Sequence, residues 1–105
     1  MLQVSPSERR RFGRRSCRVH GWVHPNRHTR APCVMTDYSR GGARLTLSEG
    51  TQLPSRFQLT FDGMTRAVDC ELRHDGESNG IVGVEFVANR AEQIAAIDEL
   101  LARFA

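Results

Sequence analysis

Short segments in which apolar and polar residues alternate occupy most of the chain between residues 16 and 87. This two-residue period is typical of strands that bury one face, and residues that favour turns separate the segments. The segments are SCRVHGWV, APCVMTDY, GARLTL, FQLTF, AVDCEL and IVGVEFV. Six such strands predict an all-β domain, which we expect to close into a small antiparallel β-barrel.

The pattern changes to helical spacing near the C-terminus. Asn89 followed three residues later by Glu92 is a helix N-cap signal. Four apolar residues then recur on one predicted helix face: Ile94, Ile97, Leu101 and Phe104. Because most amphipathic helices are buried against their own domain, we expect this C-terminal α-helix to pack on the barrel and the protein to be a monomer or weak dimer.

The length of 105 residues suits one domain with one core. Residues 1–15 have no apolar periodicity and are predicted to be a flexible arginine-rich arm, followed by the barrel and helix over 16–105. No apolar run reaches the roughly 18–20 residues of a membrane span, and the N-terminus lacks the apolar stretch of a signal peptide. We therefore expect a cytoplasmic protein without a membrane span.

The formal net charge of +3 conceals a strong local bias. Residues 5–18 contain six arginines and one glutamate, so this segment carries +5 and the remainder carries −2. A small barrel that binds nucleic acid needs cations spread over its surface, and this distribution argues against that function. All fifteen basic residues are arginine, whose planar fork suits two-point recognition of anions and bases.

A second unusual stretch, Asp37-Tyr38-Ser39-Arg40-Gly41-Gly42, joins the second and third predicted strands. Asp and Ser side chains cap turns through hydrogen bonds to the backbone, and paired glycines permit positive φ. The same groups suit a ligand, because a carboxylate accepts hydrogen bonds from guanine N–H groups and Gly42 lets a ligand approach the backbone. The residues of this stretch alone are compatible with a turn or a binding site.

Taken together, the two stretches resemble the PilZ family of bacterial cyclic di-GMP receptors. The family motifs RxxxR and [D/N]xSxxG correspond to Arg10–Arg14, with Arg9 ahead, and to Asp37–Gly42. The late VGVEF segment is also similar to the closing strand of the family. The resemblance covers essentially the whole chain and implies a receptor whose arm holds cyclic di-GMP against the outside of the barrel.

The resemblance also implies which residues bind the ligand: Arg9, Arg10 and Arg14 from the arm, and Asp37, Ser39 and Gly42 from the turn. Arg11 and Arg40 add charge beside the motifs and are candidate additional contacts. Guanidinium groups pair with phosphate and with the O6 and N7 atoms of guanine, which supports these roles chemically. We expect the ligand to order the arm and create a surface that an effector protein reads.

Two alternatives stay open, a PilZ-like adaptor that binds no ligand and a small barrel that binds nucleic acid. We expect no enzyme, because no nucleophile, base and orienting group occur together. His20, His24 and His28 have the four-residue spacing of ligands on a helix, but Pro25 argues against a helix, so no metal site is expected. Trp22 is interpreted either as a packing residue or as a stacking surface for the ligand.

Overall fold

The computed structural model describes residues 13–73 and 80–104. The elements are β1 (Arg15–His24), β2 (Ala31–Tyr38), β3 (Gly42–Leu47), β4 (Arg56–Thr60), β5 (Val68–Leu72), β6 (Ile81–Phe86) and α1 (Ala91–Phe104). All strand pairs are antiparallel, and the strands close into a barrel in the order β1-β2-β3-β6-β5-β4. The predicted six-stranded barrel with a C-terminal helix is confirmed.

The alternation along each strand decides which side chains form the core. Val23, Leu45 and Leu59 are fully buried inside the barrel, and their neighbours along each strand point outward. The outward side chains thus stay in contact with water, while the inward apolar side chains form one contiguous cluster that is removed from water. No helix in the described ranges has the length and apolarity needed to cross a bilayer.

Helix α1 packs through a face that includes the predicted Ile97, Leu101 and Phe104 but not Ile94. Its buried residues are Gln93, Ala96, Ile97 and Leu100, whereas Ile94 is 45% exposed. Gln93 is buried because its side-chain Oε1 accepts a hydrogen bond of 2.9 Å from the backbone N–H of Asp69 on β5. A polar residue therefore occupies a core position that the apolar pattern assigned to Ile94.

The helix also begins one residue later than the N-cap signal indicated. The carbonyl oxygen of Arg90 accepts hydrogen bonds from the backbone N–H groups of Gln93 and Ile94, both at 3.0 Å. Arg90 is therefore the N-cap residue of α1, and not Asn89. The C-terminal end is fixed by Phe104, whose ring makes edge contacts with Phe61 and Tyr38.

Candidate functional site

A β-bulge near the end of β2 changes the face to which the side chains point, and it determines the direction of the Asp37 side chain. Met35 pairs with Leu45 on β3, but Asp37 pairs with Arg44, so β2 carries one extra residue between these pairs. Strict alternation would place Asp37 on the same inner face as Met35. The bulge reverses the alternation, so that Tyr38 is buried at 1% exposure and Asp37 turns toward the outer face.

The Asp37 carboxylate lies between two arginines. Arg14 Nε is 3.5 Å from Asp37 Oδ1, and Arg44 Nε is 3.9 Å from Asp37 Oδ2. Oδ1 is shielded from solvent and accepts no hydrogen bond from the described residues. A buried acceptor without a donor is costly. Among the described residues, Oδ1 is therefore stabilised by its ion pair with Arg14 and keeps acceptor capacity that no N–H group uses.

The turn after Asp37 is stabilised by its own hydrogen bonds. Ser39 Oγ accepts a hydrogen bond of 3.2 Å from the Gly41 N–H, and the Ser39 N–H donates to the Gly42 carbonyl oxygen at 2.8 Å. The Phe86 N–H donates to the Gly41 carbonyl oxygen at 2.9 Å, which ties the turn to β6. Ser39 thus has a structural role in the turn in addition to any contact with a ligand.

Gly42 is required by the close approach of two backbones. A Cβ atom at this position would lie 2.1 Å from the carbonyl oxygen of Val84 on β6. Neither Gly41 nor Gly42 adopts the positive φ that paired glycines permit, since the glycines with positive φ in the described ranges are Gly50, Gly63 and Gly80. Gly42 therefore permits β3 to pair with β6, and the missing side chain faces protein backbone.

An open pocket of about 270 Å³ lies beside this turn on the outer surface of β3 and β6. We call it the hairpin pocket. Its lining brings together residues that are far apart in the chain: Arg14, Ser39, Gly41, Gly42, Ala43, Arg44, Arg73, Gly83, Val84 and Glu85. Three candidate site residues, Arg14, Ser39 and Gly42, thus meet at one pocket, and Asp37 adjoins it through its ion pairs with Arg14 and Arg44.

The PilZ domain family matches residues 8–103, a range that includes both motifs and nearly the whole fold. The chain belongs to the PilZ domain family. This finding confirms the resemblance noted from the sequence, and PilZ domains are in general receptors for cyclic di-GMP. A domain of this kind binds a ligand and is not typically catalytic.

Two solved structures share this fold. The crystal structure of the PilZ domain of CeSA from a cellulose-synthesizing bacterium superimposes with a TM-score of 0.66 at 17% identity, covering 87% of this chain and 96% of that one. The Bacillus subtilis inhibitor of motility (MotI/DgrA) gives a TM-score of 0.53 at 17% identity. That match covers 87% of this chain and 49% of the other. No curated protein matches this sequence.

Two residues that flank Ser39 connect this PilZ motif to the C-terminal helix. The Tyr38 hydroxyl donates a hydrogen bond to the carbonyl oxygen of Phe104, and Arg40 Nη2 forms an ion pair of 2.9 Å with Asp98 Oδ1. Arg40, a candidate additional contact, is thus directed toward α1 and does not line the hairpin pocket. The candidate contacts Arg9, Arg10 and Arg11 lie outside the described residues.

Sequence reasoning missed two arginines of the hairpin pocket, Arg44 and Arg73. Arg44 lies between the inward residues Ala43 and Leu45, so alternation alone would have placed it on the outer face. It follows the last residue of the motif, Gly42, by two positions. Arg73 follows β5, and its Nη1 lies 3.5 Å from Glu85 Oε2 on β6. The signal for Arg73 is weak, because only the strand order β3-β6-β5 brings it to this surface.

Cys33 and Cys70 are buried in the core, and His24 is half-buried on β1. Burial raises the pKa of Cys33 to about 12 and also raises the pKa of Cys70, so both thiols stay protonated at neutral pH. His24 Nε2 lies 2.8 Å from Thr60 Oγ1, in hydrogen-bond contact. Within 13–73 and 80–104, no three His, Cys, Asp or Glu side chains converge as metal ligands would.

Proposed function

We propose that this PilZ domain is a cytoplasmic receptor that binds cyclic di-GMP at the hairpin pocket. The observation that carries the proposal is the Asp37 carboxylate, which lies between Arg14 and Arg44 and whose Oδ1 is ion-paired with Arg14 but accepts no hydrogen bond from the described residues. A guanine edge offers N–H donors to such an acceptor. The membership in the PilZ family supports the same ligand.

The chemistry of the pocket suits a ligand with two guanines and two phosphates. Arg14 and Arg44 supply guanidinium groups, which pair with phosphate oxygens or with O6 and N7 of guanine. Ser39 adds a hydroxyl group that donates to a base or phosphate. Asp37 holds Arg14 in place before binding, which reduces the cost of ordering that side chain.

In this proposal the arm supplies the second half of the site. Arg14 forms an ion pair with Asp37 of the motif, and Arg10 and Arg9 precede it by four and five positions in the sequence. We infer that Arg9 and Arg10 close over the bound dinucleotide, with Arg11 as a supplementary contact. The closed arm then forms part of the surface that an effector protein recognises.

Isothermal titration calorimetry with cyclic di-GMP tests this function. Arg10→Ala and Arg14→Ala are expected to abolish the binding heat while thermal unfolding still shows a folded domain. Arg66→Ala is the matched control, because Arg66 is also exposed but pairs with Glu99 away from the pocket. Unchanged affinity in both arm variants would overturn the proposal, as would equal binding of GTP or linear diguanylate.

The same titration separates the alternative functions. A ligand-independent adaptor would give a folded wild-type protein without binding heat. A nucleic-acid-binding barrel would instead bind an oligonucleotide with an affinity that falls steeply with salt and tolerates changes of sequence. A specific dinucleotide site is expected to reject the oligonucleotide.

A further inference from the structure

The charges of the chain divide at the end of β2. Residues 9–36 contain eight arginines and no acidic residue, whereas residues 37–105 contain seven arginines and eleven acidic residues. The low net charge of the barrel therefore hides a basic stretch, residues 9–36, and an acidic remainder. The basic stretch includes β1, most of β2 and the loop between them, which extends the positive charge well beyond the arm.

The outer surface of β1 and β2 presents exposed basic and polar side chains beside one aromatic ring. Arg18 and His20 are exposed on β1, and Trp22 is half-buried on the same face. Pro32 and Val34 of β2 lie opposite Trp22 and His20 in the strand register. We call this surface, completed by Arg30, the basic face.

Arg30 is held in position on the basic face. Its guanidinium carbon lies 4.0 Å from the centroid of the Trp22 ring, in a cation–π contact. The loop before it is ordered by Asn26, whose Oδ1 accepts hydrogen bonds from the N–H groups of His28 at 2.8 Å and Thr29 at 3.0 Å. The cation is thus preorganised, which lowers the entropy cost of binding an anion.

The arginines of the basic face have no acidic partner in the described part of the chain. Arg18 and Arg30 form no ion pair there, whereas Arg44, Arg56, Arg66 and Arg90 each lie within 4 Å of a carboxylate. None of the residues of the basic face lines the hairpin pocket. Their charge is therefore available to a partner and separate from the dinucleotide site.

The composition of this face favours a protein partner over a nucleic acid. Arginine and tryptophan are enriched at protein interfaces, where lysine and acidic residues are depleted. A single-stranded nucleic acid needs open aromatic faces on which bases stack. Arg30 already covers one face of Trp22, and the ring belongs to the only tryptophan of the chain.

We propose that the basic face is a docking surface for an acidic segment of a partner protein. Carboxylates of that segment pair with Arg18 and Arg30, and its apolar side chains pack on Trp22, Pro32 and Val34. A guanidinium fork binds a carboxylate through two parallel hydrogen bonds, which supplies orientation as well as attraction. This surface is independent of the proposed cyclic di-GMP site.

Fluorescence anisotropy with a labelled peptide rich in Glu and Leu tests the docking surface in the absence of cyclic di-GMP. Wild-type protein is expected to bind this peptide and not a peptide with Lys in place of Glu. Arg30→Gln is expected to weaken binding about tenfold, as loss of an anchoring arginine does at protein interfaces. Arg66→Gln, which removes the same charge elsewhere, is the matched control and should leave the affinity unchanged.

Each other outcome would overturn the proposal. If Arg30→Gln and Arg66→Gln weakened peptide binding equally, the peptide would be attracted by the net charge of the protein and not by a defined surface. Tighter binding of a single-stranded oligonucleotide than of the peptide, reduced by Arg30→Gln, would assign the face to nucleic acid. Absence of peptide binding by wild-type protein at low salt would also contradict it. Because cyclic di-GMP is omitted, these results do not depend on the outcome for the hairpin pocket.

Discussion

The hairpin pocket and the basic face use the same residue type in two different ways. In the pocket, Arg14 and Arg44 are oriented by the carboxylate of Asp37. On the basic face, Arg30 is oriented by an aromatic ring and has no ion-pair partner in the described residues. A carboxylate partner orients the guanidinium group but offsets its positive charge. A stacked aromatic ring orients the guanidinium group and leaves its full positive charge. The first arrangement suits a ligand with both donors and acceptors, and the second suits an anion.

The largest effect is expected from the backbone contact that supports the hairpin pocket. Gly42→Ala would place Cβ against the Val84 carbonyl oxygen, so that β3 and β6 must separate. We expect a loss of about 2–3 kcal/mol in the free energy of unfolding, measured by urea denaturation. Gly41→Ala is the control, because the nearest atom to its Cβ is Ser39 Oγ at 3.9 Å. Equal stability of the two variants would contradict this role for Gly42.

Removing the carboxylate of the pocket should affect binding more than folding. Asp37→Asn keeps the shape but loses the charge and replaces one acceptor with a donor. We expect cyclic di-GMP to bind about 30-fold more weakly, since a hydrogen bond to a charged group contributes about 2 kcal/mol. Asp98→Asn, which breaks the ion pair with Arg40 outside the pocket, should leave calorimetric affinity unchanged. Comparable losses in both variants would mean that the site extends to α1.

The orientation of Asp37 also marks the boundary of what the sequence could predict. Alternation correctly predicted the six strands, because burial of one face imposes a two-residue period. It could not predict the bulge on β2, since an extra residue leaves no signature in polarity when Thr36 and Asp37 are both polar. The match to the PilZ motif located Asp37, but only the structure gives its contacts with Arg14 and Arg44.

Two further features depended on contacts between distant elements. Gln93 is buried because an unpaired N–H group on β5 needs an acceptor, and no pattern within the helix reveals that need. Gly42 is a glycine because β6 passes close to it, whereas its place in a turn suggested positive φ. In both cases the local pattern identified the correct element, the helix or the turn, but it did not reveal the contact that selects the residue.

The connection between the PilZ motif and α1 is expected to contribute a smaller amount of stability. Tyr38→Phe keeps the buried ring but removes the hydroxyl that donates to the Phe104 carbonyl oxygen. We expect a loss of about 1 kcal/mol in the free energy of unfolding, the usual net contribution of one hydrogen bond. Thermal denaturation monitored by circular dichroism measures it. An unchanged midpoint would indicate that the aromatic contact alone holds the end of α1.

The smallest expected effect is a change in the pKa of His24 caused by the charge of Arg30 on the basic face. Burial, and secondarily the positive charge of Arg30, lower the pKa of His24. The folded state therefore resists protonation of this imidazole. The stabilisation from neutral His24 is lost progressively as the pH falls from the ordinary histidine pKa of about 6.5 to the lowered pKa of the folded state. Arg30→Gln should raise the pKa of His24 only in part, because burial is the larger cause. An NMR titration of the imidazole measures this change, with Arg66→Gln as the control. If the pKa of His24 stayed the same in Arg30→Gln, burial alone would account for the lowered pKa and Arg30 would have no influence on the imidazole.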